Sequence, residues 1–315
     1  MQWQAFYRGR RVLVFGGAGF LGSHLTERLV ELGAAVRVVD ALVPGSGGRR
    51  ENLHRVATVV DLIEDNYGAI QRWDSWVEPG TVIFHCAAFN THSWCNRHPD
   101  KDAAWNYVPN CALAAFLDRL PFSLRILYAS SRTVYGFTRK RVLTEADRVA
   151  PADVYSLHCW ASEQLLLRCS GQRHRVAVLR LPHLYGPRQR LEGEEIGFIG
   201  QLLRAALYGE PYELFARGQV YRDVLYIADA VEVFLRLGAC SATGVFNVPG
   251  TYVAAYELAR LLEQLTGWHD YRLGEAPAQS LPRLSGKRLR EVIGTLPRTP
   301  LQEGMQMTVA AFRRL

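Results

Sequence analysis

The stretch FGGAGFLGSHLTERLVELGAAVRVVD, residues 15–40, constrains the fold more than any other part of the chain. It sets Gly16, Gly19 and Gly22 in a G-x-x-G-x-x-G spacing, straight after the apolar run RVLVFGG and straight before a helix-period segment. Glycines in that place permit a tight turn and a close backbone approach to a pyrophosphate. The helix that opens at Phe20 and Leu21 then offers its unpaired N–H groups and partial positive charge. The next apolar run ends in Asp40, at the spacing where a carboxylate can accept hydrogen bonds from both ribose hydroxyls and repel a 2′-phosphate. That favours NAD over NADP, with Arg49 and Arg50 in a following Gly-rich loop as the counter-argument. VVDLIED adds Asp61 and Leu62 after a further apolar run, either an adenine edge or a solvated strand end.

The runs at 11–17, 35–40, 81–88, 125–131 and 176–182 are β-branched and apolar on both faces, the pattern of buried parallel strands. Helical stretches at 20–33, 102–120 and 155–170 lie between them. Alternating β and α units of this length imply right-handed crossovers and a doubly wound sheet. After about residue 183 the rhythm loosens. GEEIGFIGQLLRAALYGEP predicts a helix closed by Gly209 and Pro211, VYRDVLYIADAVEVFLRLGA a short strand and a helix, and AAYELARLLEQLTG a helix stopped by Gly267. The expected organisation is α/β: a Rossmann-type domain over residues 1–182, with some later elements returning to it, and a smaller mixed substrate lobe over 183–315.

The net charge of +7 is carried by 34 Arg against three Lys, scattered without a basic stripe interleaved with aromatics. This disfavours nucleic acid and suits a small anionic ligand. The six cysteines form no C-x-x-C pair and no metal-ligand spacing, and no apolar run approaches membrane length. They read as reduced thiols of a cytoplasmic protein without metal or membrane partners.

GGAGFLGSHL, HCAA (85–88), Asn106 in AAWNYVPN, YASSRTVYG (128–136), PADVYSLHC, LRLPHLYGPRQR (179–190), YRDVLYIADA (221–230) and GVFNVPG (244–250) recur in one order over nearly the whole length. Together they resemble the extended short-chain dehydrogenase/reductase family, the NAD-dependent nucleotide-sugar epimerases and dehydratases. The resemblance implies NAD contacts at Ala87 as well as the glycine loop, and a homodimer. It also implies a tyrosine base helped by a hydroxyl on the preceding strand. Tyr155 and Ser131 match these.

The family's lysine, four residues after the tyrosine, is Cys159 here. A lysine there is implied to hold the nicotinamide ribose and to lower the tyrosine pKa. A unit charge about 6 Å away at an effective dielectric of about 20 is worth roughly 2–3 kcal/mol. Three readings follow: an active enzyme whose base is tuned by another group, with His158 the nearest candidate; a rebuilt oxidoreductase or lyase in which Cys159 acts or simply packs; or an NAD-binding protein without turnover.

On the substrate side the resemblance implies that Arg222 grips a nucleotide diphosphate and that His183 stands where many members carry an Asn. Arg188 and Arg190 follow near the mouth of the site. The Arg-Pro-Gly-Asp element of the family tail is absent. After Ser131 come Arg132 and Thr133, where 4,6-dehydratases carry Asp-Glu and decarboxylases a Glu. SSRTVYG is most like the 4-epimerase pattern, and Arg132 offers a partner for a substrate carboxylate.

Overall fold

The computed structural model describes residues 3–171, 173–193 and 195–313. Seven strands form one parallel sheet in the spatial order Gly244–Asn247, Arg175–Leu181, Arg125–Ser131, Val82–His85, Arg11–Phe15, Ala35–Val39, Asp61–Ile63. The five expected strands are its centre, and their two-faced apolarity has its cause here: helices cover both sides. One face packs Val12, Val14 and Phe84 against the helices Phe20–Glu31 and Ile227–Gly238. The other packs Leu13, Ile83 and Ile126 against Val108–Arg119 and Val154–Ser170. Strand order reverses beside Arg11–Phe15, so a crevice opens at the carboxyl ends of Arg11–Phe15 and Val82–His85, the place where such sheets bind ligands.

The C-terminal half is interleaved with the first. Helix Ile227–Gly238 and edge strand Gly244–Asn247 return to the main sheet. A second sheet of His183–Tyr185, Tyr221–Tyr226 and Thr251–Ala254 carries the other wall of the crevice, beside helices Gly197–Tyr208 and Ala255–Thr266. Both helices stop as expected, at Gly209 (φ 71°) and Gly267 (φ 79°). The helix expected over 102–120 is broken by one π-helical turn, Ala103–Tyr107. The turn aims Asn106 at the loop after Val82–His85, where its amide accepts from Phe89 N and donates to Phe89 O, both at 2.8 Å. A buried loop backbone is thereby satisfied just below the crevice.

Candidate active site

At one end of the crevice the glycine turn fits a dinucleotide. Gly16 has φ 72°, and a Cβ there would lie 2.5 Å from Ala87 Cα, so only glycine lets the turn approach the neighbouring strand end. Gly22 presses on the Gly16 carbonyl in the same way. Gly19 caps helix Phe20–Glu31 with no side-chain hydrogen bond, which leaves its first-turn N–H groups for an anion. A pocket of about 70 Å³ is lined by Gly16, Gly19, Asp40, Asp65, Asn66 and Ala87, among others. Asp40 is held by Ala18 N and Leu42 N, each at 2.9 Å, and burial raises its pKa. These residues fit NAD.

Asp61 and Leu62 do not reach this pocket. Asp61 pairs with Arg37 at 2.7 Å on the sheet edge, while Leu62 packs against the core. The strand runs from Asp61 to Ile63, so the residues that emerge at its carboxyl end are Asp65 and Asn66, and they line the pocket instead.

A larger cavity of about 580 Å³ continues from Gly19, Phe20 and Leu21 to the opposite wall. Ser131 and Tyr155 both line it. Strand Arg125–Ser131 ends with Ser131, whose hydroxyl accepts from Thr133 N (3.2 Å) and Thr133 Oγ1 (2.9 Å), leaving its own proton to donate. Tyr155 stands in the first turn of helix Val154–Ser170, whose N-cap Asp153 accepts from Ser156 N at 2.7 Å. Behind them Ser130 donates to Glu163, which is fully buried and paired with Arg180 at 2.6 Å.

Burial raises the Tyr155 pKa well above its ordinary value, and the neighbouring Cys159 thiol and Asp102 carboxylate push the same way. Cys159 lies in a closed cluster with Cys95, Val134 and Tyr135, lines neither cavity, and is pushed up to about 12 by burial. It stays a protonated thiol at neutral pH, packed behind Tyr155. His158 turns away too: Nδ1 is bonded to Asp102, and the ring stacks on Tyr107 at 5.8 Å. It cannot stand in for the lysine beside Tyr155.

A residue the sequence did not single out does stand there. His92, on the short helix His92–Arg97, lines the larger cavity and sets its ring edge-on to Tyr155, centroids 4.9 Å apart. Its Nδ1 meets Asp153 Oδ2 at 2.9 Å, and that bond helps hold the Asp153 carboxyl below the usual range against the effect of burial. The signal was weak, since the pair is separated by 61 residues.

On the substrate wall, Arg132 is 6% exposed and donates from Nη2 to Pro282 O at 3.1 Å. Its Nε and Nη1 have no partner among the described residues, and neither does the buried Nδ1 of His183. Both side chains line the cavity. Burial first, then the charges of Arg132 and Arg222, lower the His183 pKa to about 3, so the ring is neutral.

Arg188 also lines the cavity, but its guanidinium is taken by Glu27 (2.8 and 2.9 Å), His24 (2.7 Å) and Asn52 O (2.7 Å). Arg190 donates to Gly45 O and, at 3.0 Å, to Glu195 O. Both tie the substrate-side loop to the cofactor half. Arg222 lies outside the cavity lining, bonded to Tyr221 O and Gln279 O at 3.0 Å and over the ring of Phe198, which does line it.

Among the described residues there is no cluster of metal-ligating side chains and no helix long and apolar enough to cross a membrane. Residues 12–248 match the model of the NAD dependent epimerase/dehydratase family. The chain is 32% identical to a UDP-glucose 4-epimerase of Mycolicibacterium smegmatis over 96% of this chain and 98% of that protein. The UDP-glucose 4-epimerase of Thermotoga maritima, solved with UDP-glucose, superposes with a TM-score of 0.86 at 28% identity, covering 96% of this chain and 99% of that one. MoeE5, solved with UDP-glucuronic acid and NAD, gives 0.80 at 27% identity over 96% and 99%.

Proposed function

Because the chain belongs to the NAD-dependent epimerase/dehydratase family, we propose that it inverts C4 of a nucleotide-activated sugar, and that the sugar it prefers carries an acidic group. The observation that carries this reading is the wall of the larger cavity. Ser131, Thr133 and Tyr155 line it with hydroxyls that suit one alcohol, and the residue after Ser131, where elimination chemistry would need a carboxylate, is Arg132. Glu195 is the one carboxylate among the described residues lining that cavity, and it already accepts from Ser93 N at 2.7 Å. Removal of water requires a paired acid and base.

NAD, when bound, supplies a hydride acceptor that is regenerated in the same cycle. The remaining tasks belong to the chain. Gly16, Gly19 and Asp40 hold the dinucleotide, Ser131 and Tyr155 fix the reacting hydroxyl, and the cavity gives the ring room to present its other face. The unpaired donors of Arg132 suit a carboxylate, which takes a planar guanidinium in two parallel bonds.

The test is incubation with UDP-glucose and UDP-glucuronic acid without added reductant, followed by NMR of the sugar. The expected product is the C4 epimer, formed faster from the acid. Loss of water or carbon dioxide would defeat the proposal. The buried Cys159 and the high Tyr155 pKa favour one second reading, an NAD-binding protein without turnover. Retention of NAD with no conversion of any nucleotide sugar would decide for it. Self-association is also proposed: Val108 and Leu157, 55% and 47% exposed, sit on two helices covering one face of the sheet. A dimer mass in light scattering, lost on replacing both with Glu, checks this.

A further inference from the structure

We propose that the proton leaving the sugar hydroxyl is taken by His92, held in place by Asp153, and that Tyr155 serves as a hydrogen-bond partner of that hydroxyl rather than as its base. This rests on the oxidation chemistry proposed above and names the group that makes it work without the lysine.

Three observations converge. A tyrosine acts as a base only once it has ionised, and Tyr155 is poorly placed to ionise near neutral pH. It is 7% exposed in an apolar cluster, and the groups that act most on it are burial, two thiols and a carboxylate. No side chain one turn along the helix supplies a cation there, because Cys159 holds that place and His158, bonded to Asp102, lines neither cavity. His92, by contrast, touches Tyr155 edge-on, lines the same cavity, and has one ring nitrogen on the Asp153 carboxylate. A carboxylate on one imidazole nitrogen fixes the tautomer, leaves the other nitrogen as acceptor, and stabilises the imidazolium once formed. The bond to Asp153 runs through Nδ1, so Nε2 is the nitrogen left to accept.

Charged and titratable groups face His92 from each wall. From helix Val154–Ser170, Asp153 and Tyr155 face His92; from the opposite wall come the neutral His183 and, on the loop after it, Arg190 and Glu195, which bond Thr91 and Ser93. Its own helix adds Cys95 and Arg97. The step balances within the chain and its substrate. The O–H bond breaks, its electron pair becomes the second C–O bond, the proton goes to Nε2, and the C–H pair leaves as hydride to the bound oxidant. Return of the proton from Nε2 closes the cycle.

Two measurements test this, one of them independent of turnover. Carbethoxylation mapped by mass spectrometry should modify His92 in the NAD-loaded protein and be blocked there by UDP-glucose or UDP-glucuronic acid, while exposed His54 and His269 react throughout. Equal reaction of His92 with and without both ligands would overturn the proposal. His92→Asn keeps an amide N–H for Asp153 but cannot accept the proton. It should lower kcat about 10²–10³-fold with KM little changed, and cost more than Tyr155→Phe. If His92→Asn fails to fold, His92→Gln takes its place. A variant within about twofold of the parent, or one less impaired than Tyr155→Phe, overturns the assignment of the base alone. A parent protein that shields His92 yet oxidises no nucleotide sugar overturns the reaction as well.

Discussion

Arg132→Met separates what this side chain does for stability from what it does for recognition, because the two are expected to move in opposite directions. In the free protein the guanidinium is 6% exposed with one hydrogen bond, to Pro282 O, and two nitrogens unsatisfied. Each unsatisfied buried donor costs about 1–3 kcal/mol, whereas the single bond returns about 1 kcal/mol. Methionine fills a similar length without polar atoms. A competing effect is the loss of positive charge near the buried Asp223. That carboxylate is held chiefly by Leu284 N and Gly250 N, each at 2.8 Å, with Arg132 a lesser influence, so the first effect wins. The variant should gain roughly 1–3 kcal/mol, read by calorimetry as a Tm rise of a few degrees. It should also bind UDP-glucuronic acid about 10–100-fold more weakly, since hydrogen bonds to charged groups are worth about 1.5–3 kcal/mol, while UDP-glucose binds as before. Titration calorimetry with both nucleotide sugars measures this. A lowered Tm, or an equal loss for both ligands, would refute the reasoning and make Arg132 a support for the fold or for the diphosphate.

Three further outcomes are expected. Cys159→Lys places an ammonium one turn from Tyr155 in an apolar cluster, so thermal stability should fall by several kcal/mol; with His92 as the base, turnover of the folded protein at neutral pH should not rise, and a clear gain would return the base role to Tyr155. Glu163→Gln leaves Arg180 buried without its counter-ion and should destabilise by about 3–5 kcal/mol in denaturant titrations, while Glu163→Gln with Arg180→Met recovers much of it. The Asp153 carboxyl is depressed in the folded protein, so its stabilising contribution is present above its ordinary pKa of about 3.9 and lost as pH falls through the lower folded value. Asp153→Asn should therefore flatten the acid side of a Tm-against-pH curve and leave the neutral side parallel to the parent.

How much of this was legible beforehand depends on the distance over which each feature is decided. The glycine turn, Asp40 and the doubly wound strands follow from local spacing, and the structure has them where the residues put them. Asp61 and Leu62 missed the pocket by the length of one short strand, because alternation alone does not say where a three-residue strand ends. Arg188 and His158 were decided by partners far along the chain, Glu27 and Asp102, separated from them by 161 and 56 residues. Ser131 lines the larger cavity at the strand end where its motif sets it. His92 had no such motif, because a lone histidine at the start of a short helix acquires meaning only when a helix cap 61 residues away turns a carboxylate toward it.

The two arginine ties from the substrate-side loop bear on the order of events. Arg188 clamps Glu27 on the cofactor helix, and Arg190 grips the loop at Gly45 beside the cofactor pocket. The same bonds join the loop that lines the sugar cavity to the segments beside the glycine turn. Whatever tightens one side is repaid equally on the other, since coupling between two ligands is reciprocal. The two ties therefore couple the shape of the sugar cavity to the glycine-turn side of the crevice.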